Sequence, residues 1–443
     1  MNPAISILAI GDMHLGTLPS GLPDEIDSSR ISRHDLSPAV AFDIAVTLAI
    51  DKGVDTVLLA GDVVESANAR FEAMVPLEKG IRRLIDNSIR VIAVAGNHDV
   101  DALPRLTALI DGFCLLGADG QWETTVISKE EIPVAEIVGW SFPERHVRES
   151  PVAKLQLEPA SASVCRIGLL HADLDASGGP YAPVRRAELL DQNFDAWLLG
   201  HIHKPSLRAM TGHSSDRPVG YLGSLVGLDP TETGPHGPWL LEISAEGIET
   251  VKQVPIAPLR WENIRISTEG LRDPDDLSDR LLDQAARLAL KLAKDGPPPR
   301  VLGLRATLTG RCDGYRTIRK WVEDGEYRRV QRMAGSTWIF FNKIVNLADA
   351  PIDIRTIASG DDPAALLARQ ILVLMDDGPE AGELVERARD ELKEAVEESV
   401  WAPVDDHRSA MPALSDASLR ELLVRSGKTA LDAMLEQNPR DEA

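Results

Sequence analysis

Five short apolar runs, each ending in a cluster of Gly, Asp, Asn or His, constrain this chain more than any bulk property. Residues 5–10 run into Gly11-Asp12-Met13-His14, residues 56–60 into Gly61-Asp62, and residues 91–95 into Gly96-Asn97-His98-Asp99. Residues 166–170 run into His171, and residues 196–199 into Gly200-His201-Ile202-His203. Unbroken apolar runs of this length predict strands buried on both faces. Helical stretches lie between them. Ser37 as N-cap, Pro38 in the first turn, a stripe of Val40, Ile44 and Leu48, and Gly53 as a stop predict one helix. Residues 69–87 predict a second. Alternating strand and helix implies a layered α/β domain. In such sheets, sites gather beyond the carboxyl ends of strands.

Each cluster alone is a weak signal. Gly-Asp recurs at Gly360-Asp361 without an apolar run before it, and Gly-Asn-His-Asp also reads as a turn. Together they carry weight, because five of the ten histidines of the chain fall at these strand ends. The side chains offer carboxylate oxygens, imidazole nitrogens and one amide oxygen, with no thiolate. That set suits Mn, Fe or Zn better than Ca or Cu(I). It exceeds one four-ligand site, so two metals are the economical reading. A bridging carboxylate is the usual way to hold two ions about 3.5–4 Å apart, where they polarise a phosphoryl group and activate water.

Bulk properties exclude other classes. A chain of 443 residues suggests two or three domains. No apolar run reaches membrane-span length, and MNPAISILAIGD reads as a first strand, not a signal peptide. Cys114, Cys165 and Cys312 are scattered and odd in number, which fits a reducing cytoplasm and not a disulfide scaffold or zinc ribbon. The formal net charge of -22 opposes nucleic-acid binding unless positive potential is local, or supplied by metals or a partner.

Asp-x-His, Gly-Asp, Gly-Asn-His-Asp, a later His and Gly-His-x-His, in this order, resemble the calcineurin-like metallophosphoesterases over residues 4–245. The resemblance implies an α/β fold: a layered β-sandwich metallophosphoesterase core flanked by helices, a smaller α+β cap domain and a helical C-terminal region. It implies Asp12, His14 and His203 as ligands of one metal, Asn97, His171 and His201 as ligands of the other, and Asp62 as the bridge. His98 matches the non-ligand histidine that stabilises phosphoryl oxygens or protonates the leaving group. Asp99 either orients His98 or caps a helix. Gly200 allows a tight turn and close approach.

Finer features resemble the SbcD-type DNA repair nucleases, in the YhaO-like branch. These are Tyr181-Ala182-Pro183, residues 193–197 (NFDAW), residues 220–224 (GYLGS), Glu232-Thr233-Gly234 before a strand at 239–243, residues 308–311 (LTGR) and residues 338–344. The resemblance implies a metal-dependent hydrolase of phosphoric esters, an exo- or endonuclease acting in DNA end processing. It implies two divalent ions, Mn first with Fe or Zn as alternatives. It also implies DNA and an SMC-like ATPase of the SbcC or YhaN kind as partners, with a homodimer compatible and no membrane. The pattern departs at Glu65, where archaeal and eukaryotic relatives carry a DNA-orienting histidine three residues after the bridging aspartate. Glu65 is therefore a candidate substrate contact.

The expected domains are a nuclease domain over 1–260, a DNA-contacting cap over 261–350, and an acidic helical region over 351–443 that binds the ATPase. Residues 275–294 have helical periodicity and DGPPPR at 295–300 reads as a linker. From Arg300 to Lys343, ten basic residues stand against four acidic ones. Arg311 and Arg316 are candidate DNA-backbone contacts on such a cap, and a solvated mixed-charge surface is the alternative. Leu384, Ala388, Leu392 and Val396 form one apolar stripe near the C-terminus. Leu419, Leu422, Leu423, Leu431 and Leu435 suggest another. These stripes pack either within their own domain or onto the ATPase. Two further function classes are compatible: a small-molecule or nucleotide phosphoesterase, and a non-catalytic scaffold.

Overall fold

The computed structural model describes residues 4–23, 31–65, 71–156, 164–176, 178–212, 216–376, 378–397 and 415–437. In chain order, β1 (Ile5–Ile10), α1 (Pro38–Lys52), β2 (Thr56–Ala60), α2 (Phe71–Asp86), β3 (Arg90–Val94), α3 (Leu103–Leu109) and β4 (Phe113–Leu115) alternate strand and helix. A hairpin follows, β5 (Glu123–Lys129) and β6 (Ile132–Trp140), and then β7 (Cys165–His171), α4 (Arg186–Leu190) and β8 (Ala196–Gly200). Short strands β9 (Met210–Thr211) and β10 (Val219–Tyr221) precede the hairpin of β11 (Trp239–Ser244) and β12 (Gly247–Gln253). The chain continues with β13 (Leu259–Ser267), α5 (Pro274–Asp295), β14 (Val301–Thr309), α6 (Tyr315–Glu323), β15 (Gln331–Ala334) and β16 (Thr337–Asn346). It closes with α7 (Ile354–Ala358), α8 (Pro363–Asp376), α9 (Pro379–Glu397) and α10 (Asp416–Gln437).

Two compact units result. The first comprises Met1–Ile264, Leu282–Ala306 and Arg328–Lys343, and the second Arg265–Leu281, Thr307–Tyr327 and Ile344–Ala443. The first unit contains two sheets, ordered β4-β3-β2-β1-β11-β12-β9 and β10-β8-β7-β6-β5. Strands β1 to β4 are mutually parallel, as are β6, β7, β8 and β10. The carboxyl ends of β1, β2 and β3 therefore share one sheet edge, and so do those of β7 and β8. Ile7, Leu58 and Ile92 from one sheet meet Ile137, Leu169 and Leu198 from the other in a fully buried layer. Helices α1, α2 and α3 cover the outer face of the first sheet, over Leu8, Leu59 and Val91. Phe194 and Trp197 fill the outer face of the second. This is an α/β sandwich flanked by helices. A third sheet has the order β13-β14-β16-β15.

All five apolar runs are strands, because each is buried on both faces and only a continuous apolar run suits that environment. The first helix begins at Pro38 and stops at Gly53, which takes the left-handed conformation. Ser37 occupies the N-cap position but makes no side-chain cap bond. The face of α1 differs from expectation. Ala41, Phe42, Ala45, Val46 and Ala49 are buried, whereas Ile44 is 36% exposed. The helix is apolar nearly all round, so periodicity does not choose a face, and the alanines allow the closer approach to the sheet. The second helix is Phe71–Asp86; the expected residues 69 and 70 lie outside the described ones.

In the second unit, the C-terminal stripes find partners within the unit except at Leu392, which is 37% exposed. Leu374 of α8, Val385 of α9 and Leu419 of α10 form one buried cluster, with Leu384, Ala388, Leu422 and Leu423 packed against it. Ala364, Ala368, Ile371 and Leu431 form another, which Leu435 joins. The side chain of Val396 lies outside the described residues. No described helix is long and apolar enough to cross a membrane.

Candidate metal centre

The two parallel strand sets deliver the predicted residues to one place. Asp12 and His14 follow β1, Asp62 follows β2, Asn97 and His98 follow β3, His171 ends β7, and His201 and His203 follow β8. Close approach of the segments demands small residues. A Cβ on Gly200 would collide with the Ala60 carbonyl, and one on Gly96 would collide with Asp62 Oδ1. Gly200 thus acts by close approach, as expected. The strained backbone belongs to the ligands themselves, since Asp12, His14, Asp62 and His201 have φ of 38°, 46°, 47° and 112°. Non-glycine residues in this region cost about 1–3 kcal/mol each and cluster at functional sites.

Asp12, His14 and His203 form one group of converging ligand atoms, and Asp12, Asp62 and His171 form a second. One oxygen, Asp62 Oδ2, lies 3.6 Å from His14 Nε2 and 3.4 Å from His171 Nε2. That oxygen stands between the groups, where a bridge belongs. Asn97 Oδ1 lies 3.1 Å from His171 Nε2. The ring of His201 is less central. It packs against His171 and Tyr181 at 5.3 and 5.1 Å between centroids, while its backbone N–H donates to Asp12 Oδ1 at 2.8 Å.

The donor set fits divalent cations. Asp12 is fully buried and its Oδ2 has no hydrogen-bond partner. Its burial, ahead of the neighbouring charges, pushes its carboxyl above the ordinary range. His14 Nε2 and His203 Nε2 face each other at 3.0 Å. Each ring's Nδ1 is beside a carboxylate, His14 beside Glu65 at 3.3 Å and His203 beside Glu232 at 2.8 Å. With both Nδ1 protons given to those carboxylates, both Nε2 atoms present lone pairs to one another, an arrangement that a cation resolves. Ligand atoms about 2.0–2.2 Å from a common ion lie roughly 3.0–3.5 Å apart, close to the separations found.

Three residues take places the sequence did not indicate. Glu65 sits inside the centre, 3.0 Å from His98 Nδ1 and 3.3 Å from His14 Nδ1. Its hydrogen bond with His14, with His98 adding to it, holds its carboxyl down at about 2. Asp99 does not touch the His98 ring. Its carboxylate accepts the N–H groups of Val63 and Gly96, both at 2.6 Å, and so ties the β2 and β3 loops together. Burial, then the charge of Asp62, raises its pKa well above the usual carboxylate value. The partner that orients His98 is Glu65. Glu232, which carried no assigned role, is the neighbour of His203; it lies 29 residues away in sequence, and no spacing rule links them. Burial opposes a charge on His203, but the bond to Glu232 and the charge of Asp12 outweigh it and raise its pKa. Burial, reinforced by His171, lowers that of His201 to about 3.

Arg311 and Arg316 belong to the second unit. Arg316 lies 3.5 Å from Asp432, a buried carboxylate that also receives Arg319 at 3.0 Å. The backbone of Arg311 bridges to Asp349.

Residues 5–205, which hold every one of the seven proposed ligands, match the family model for calcineurin-like phosphoesterases. This stretch is a calcineurin-like phosphoesterase domain. The chain is similar to the metallophosphoesterase YhaO of Bacillus subtilis, 28% identical over 57% of this chain and 60% of that one. It is similar to the DNA double-strand break repair protein Mre11 of Aeropyrum pernix, 27% identical over 57% of this chain and 61% of that one. The matches thus span about three-fifths of each relative's length. Among solved structures, a dimetal phosphatase from Danio rerio aligns with 57% of this chain and 100% of its own chain, at 14% identity and a TM-score of 0.35.

Proposed function

We propose that this phosphoesterase is a two-metal DNA phosphodiesterase of the SbcD type that processes DNA ends with an SMC-like ATPase partner. The observation that carries the two-metal reading is Asp62 Oδ2 between His14 and His171. In this reading Asp12, His14 and His203 hold one ion, Asn97, His171 and His201 hold the other, and Asp62 bridges them. Two divalent ions so held, Mn first with Fe or Zn as alternatives, supply phosphoryl polarisation and a nucleophile from water near neutral pH. The chain's own residues do the rest. Glu65 fixes His98 through Nδ1, and the His98 backbone N–H is held by Asp62 Oδ1 at 3.0 Å. The His98 side chain is 43% exposed, and with Nδ1 taken by Glu65 its Nε2 is the nitrogen left for substrate. There it donates a proton to the phosphoryl or leaving-group oxygen.

DNA as substrate is supported by the Mre11 relatives, which are named for double-strand break repair. The ATPase partner, and the division into a nuclease domain over 1–260, a cap over 261–350 and a partner-binding region over 351–443, rest on the family resemblance. A cytoplasmic setting agrees with the three free cysteines. The net charge of -22 favours a second reading, a nucleotide or small-molecule phosphoesterase. Purified protein with manganese and labelled single- and double-stranded DNA separates the two. Cleavage, with DNA binding that weakens as salt rises, is the expected result. No cleavage beside strong turnover of a small phosphomonoester would overturn the nuclease reading.

A further inference from the structure

His203 is gripped from two sides. Its Nδ1 lies 2.8 Å from Glu232 Oε1, and its Nε2 faces the centre. A neutral imidazole carries one N–H, so a proton kept on Nδ1 by the carboxylate leaves the Nε2 lone pair for a cation. Glu232 is itself held, because Oε2 accepts the Leu228 N–H at 2.8 Å. The loop bearing it closes back on the same histidine. The Ser224 N–H donates to the His203 carbonyl at 2.9 Å. Ser224 Oγ lies 3.0 Å from His236 Nδ1, and His236 Nε2 lies 3.1 Å from the Glu232 carbonyl. Ser224 and His236 are only 1% and 2% exposed. A ring of hydrogen bonds therefore runs from His203 through Ser224, His236 and Glu232 and returns to the His203 imidazole.

We propose that Glu232 is a positioning residue for one of the two metal sites. Its carboxylate fixes the tautomer and ring plane of His203, and so sets the affinity of the ion held by Asp12, His14 and His203 without touching it. The inference rests on the two-metal reading above. It follows that Glu232→Gln is not conservative here. Glutamine has a single acceptor oxygen for two donors, His203 Nδ1–H and Leu228 N–H. If its NH2 turns to His203, Nδ1 must accept, the proton moves to Nε2, and that nitrogen no longer offers a lone pair. If its NH2 turns to Leu228, two donors meet. Outer carboxylates on metal-bound histidines are worth about 10–100-fold in metal affinity.

The test uses the full chain stripped with a chelator and titrated with manganese by calorimetry, with electron paramagnetic resonance reporting coupled ion pairs. Wild type is expected to bind two ions. Glu232→Gln is expected to weaken one binding step by about 10–100-fold, leave the other step unchanged, and replace the coupled signal with that of isolated Mn. Ser224→Ala, which removes the Oγ contact to His236 and leaves the His203 imidazole and its Glu232 contact in place, is expected to keep both steps. An unchanged Glu232→Gln titration on a two-ion wild type overturns this inference alone. Equal weakening by Ser224→Ala assigns the effect to the loop and also overturns it. A wild type without a manganese pair overturns the two-metal reading and this inference with it.

Discussion

Replacing Glu65 with glutamine removes a charge that the centre uses twice. The carboxylate is 17% exposed and lies 3.0 Å from His98 Nδ1 and 3.3 Å from His14 Nδ1. Hydrogen bonds to charged groups contribute about 1.5–3 kcal/mol each. Glutamine keeps one carbonyl oxygen, so one contact is lost and the other becomes neutral. A loss of about 2 kcal/mol in holding His98 corresponds to roughly 30-fold in rate, at about 1.4 kcal/mol per factor of ten. Because the carboxylate faces two imidazoles, the reduction should fall on kcat, with KM unchanged. Steady-state kinetics on a chromogenic phosphodiester at saturating manganese measure both parameters. A raised KM at constant kcat would refute the reasoning and return Glu65 to the substrate-contact role its sequence position suggested.

Two further outcomes follow from the same geometry. His98→Ala should lower turnover by about 10²–10⁴-fold while elemental analysis finds the metal content unchanged; loss of an ion would make His98 a ligand. Asp99→Asn should place an amide NH2 against a buried backbone N–H of Val63 or Gly96. That should cost about 1–3 kcal/mol in urea unfolding of the chelated protein, and an unchanged midpoint would show that the tie between the two loops is dispensable.

The strands and the ligand cluster were legible because they obey local rules. A strand buried on both faces must be apolar throughout, and a ligand at its carboxyl end must be polar. The junction is therefore visible as an abrupt change of character at Gly11-Asp12, Gly61-Asp62, Gly96-Asn97 and Gly200-His201. The buried face of α1 was not legible, since a helix apolar on most sides offers no stripe to choose. The stripes of α9 and α10 were visible, but which partner would cover them was not; α8 does so within the unit.

Residue chemistry and order along the chain were enough to predict a pair of cations at the carboxyl ends of buried strands. Tertiary structure alone assigned the supporting carboxylates. Asp99, beside His98 in sequence, turns away to bind two amides, whereas Glu65 and Glu232, 33 and 29 residues from their histidines, supply the ring contacts. A hydrogen bond depends on where two atoms meet in space, and loop paths between strands decide that meeting without leaving any periodicity in the sequence.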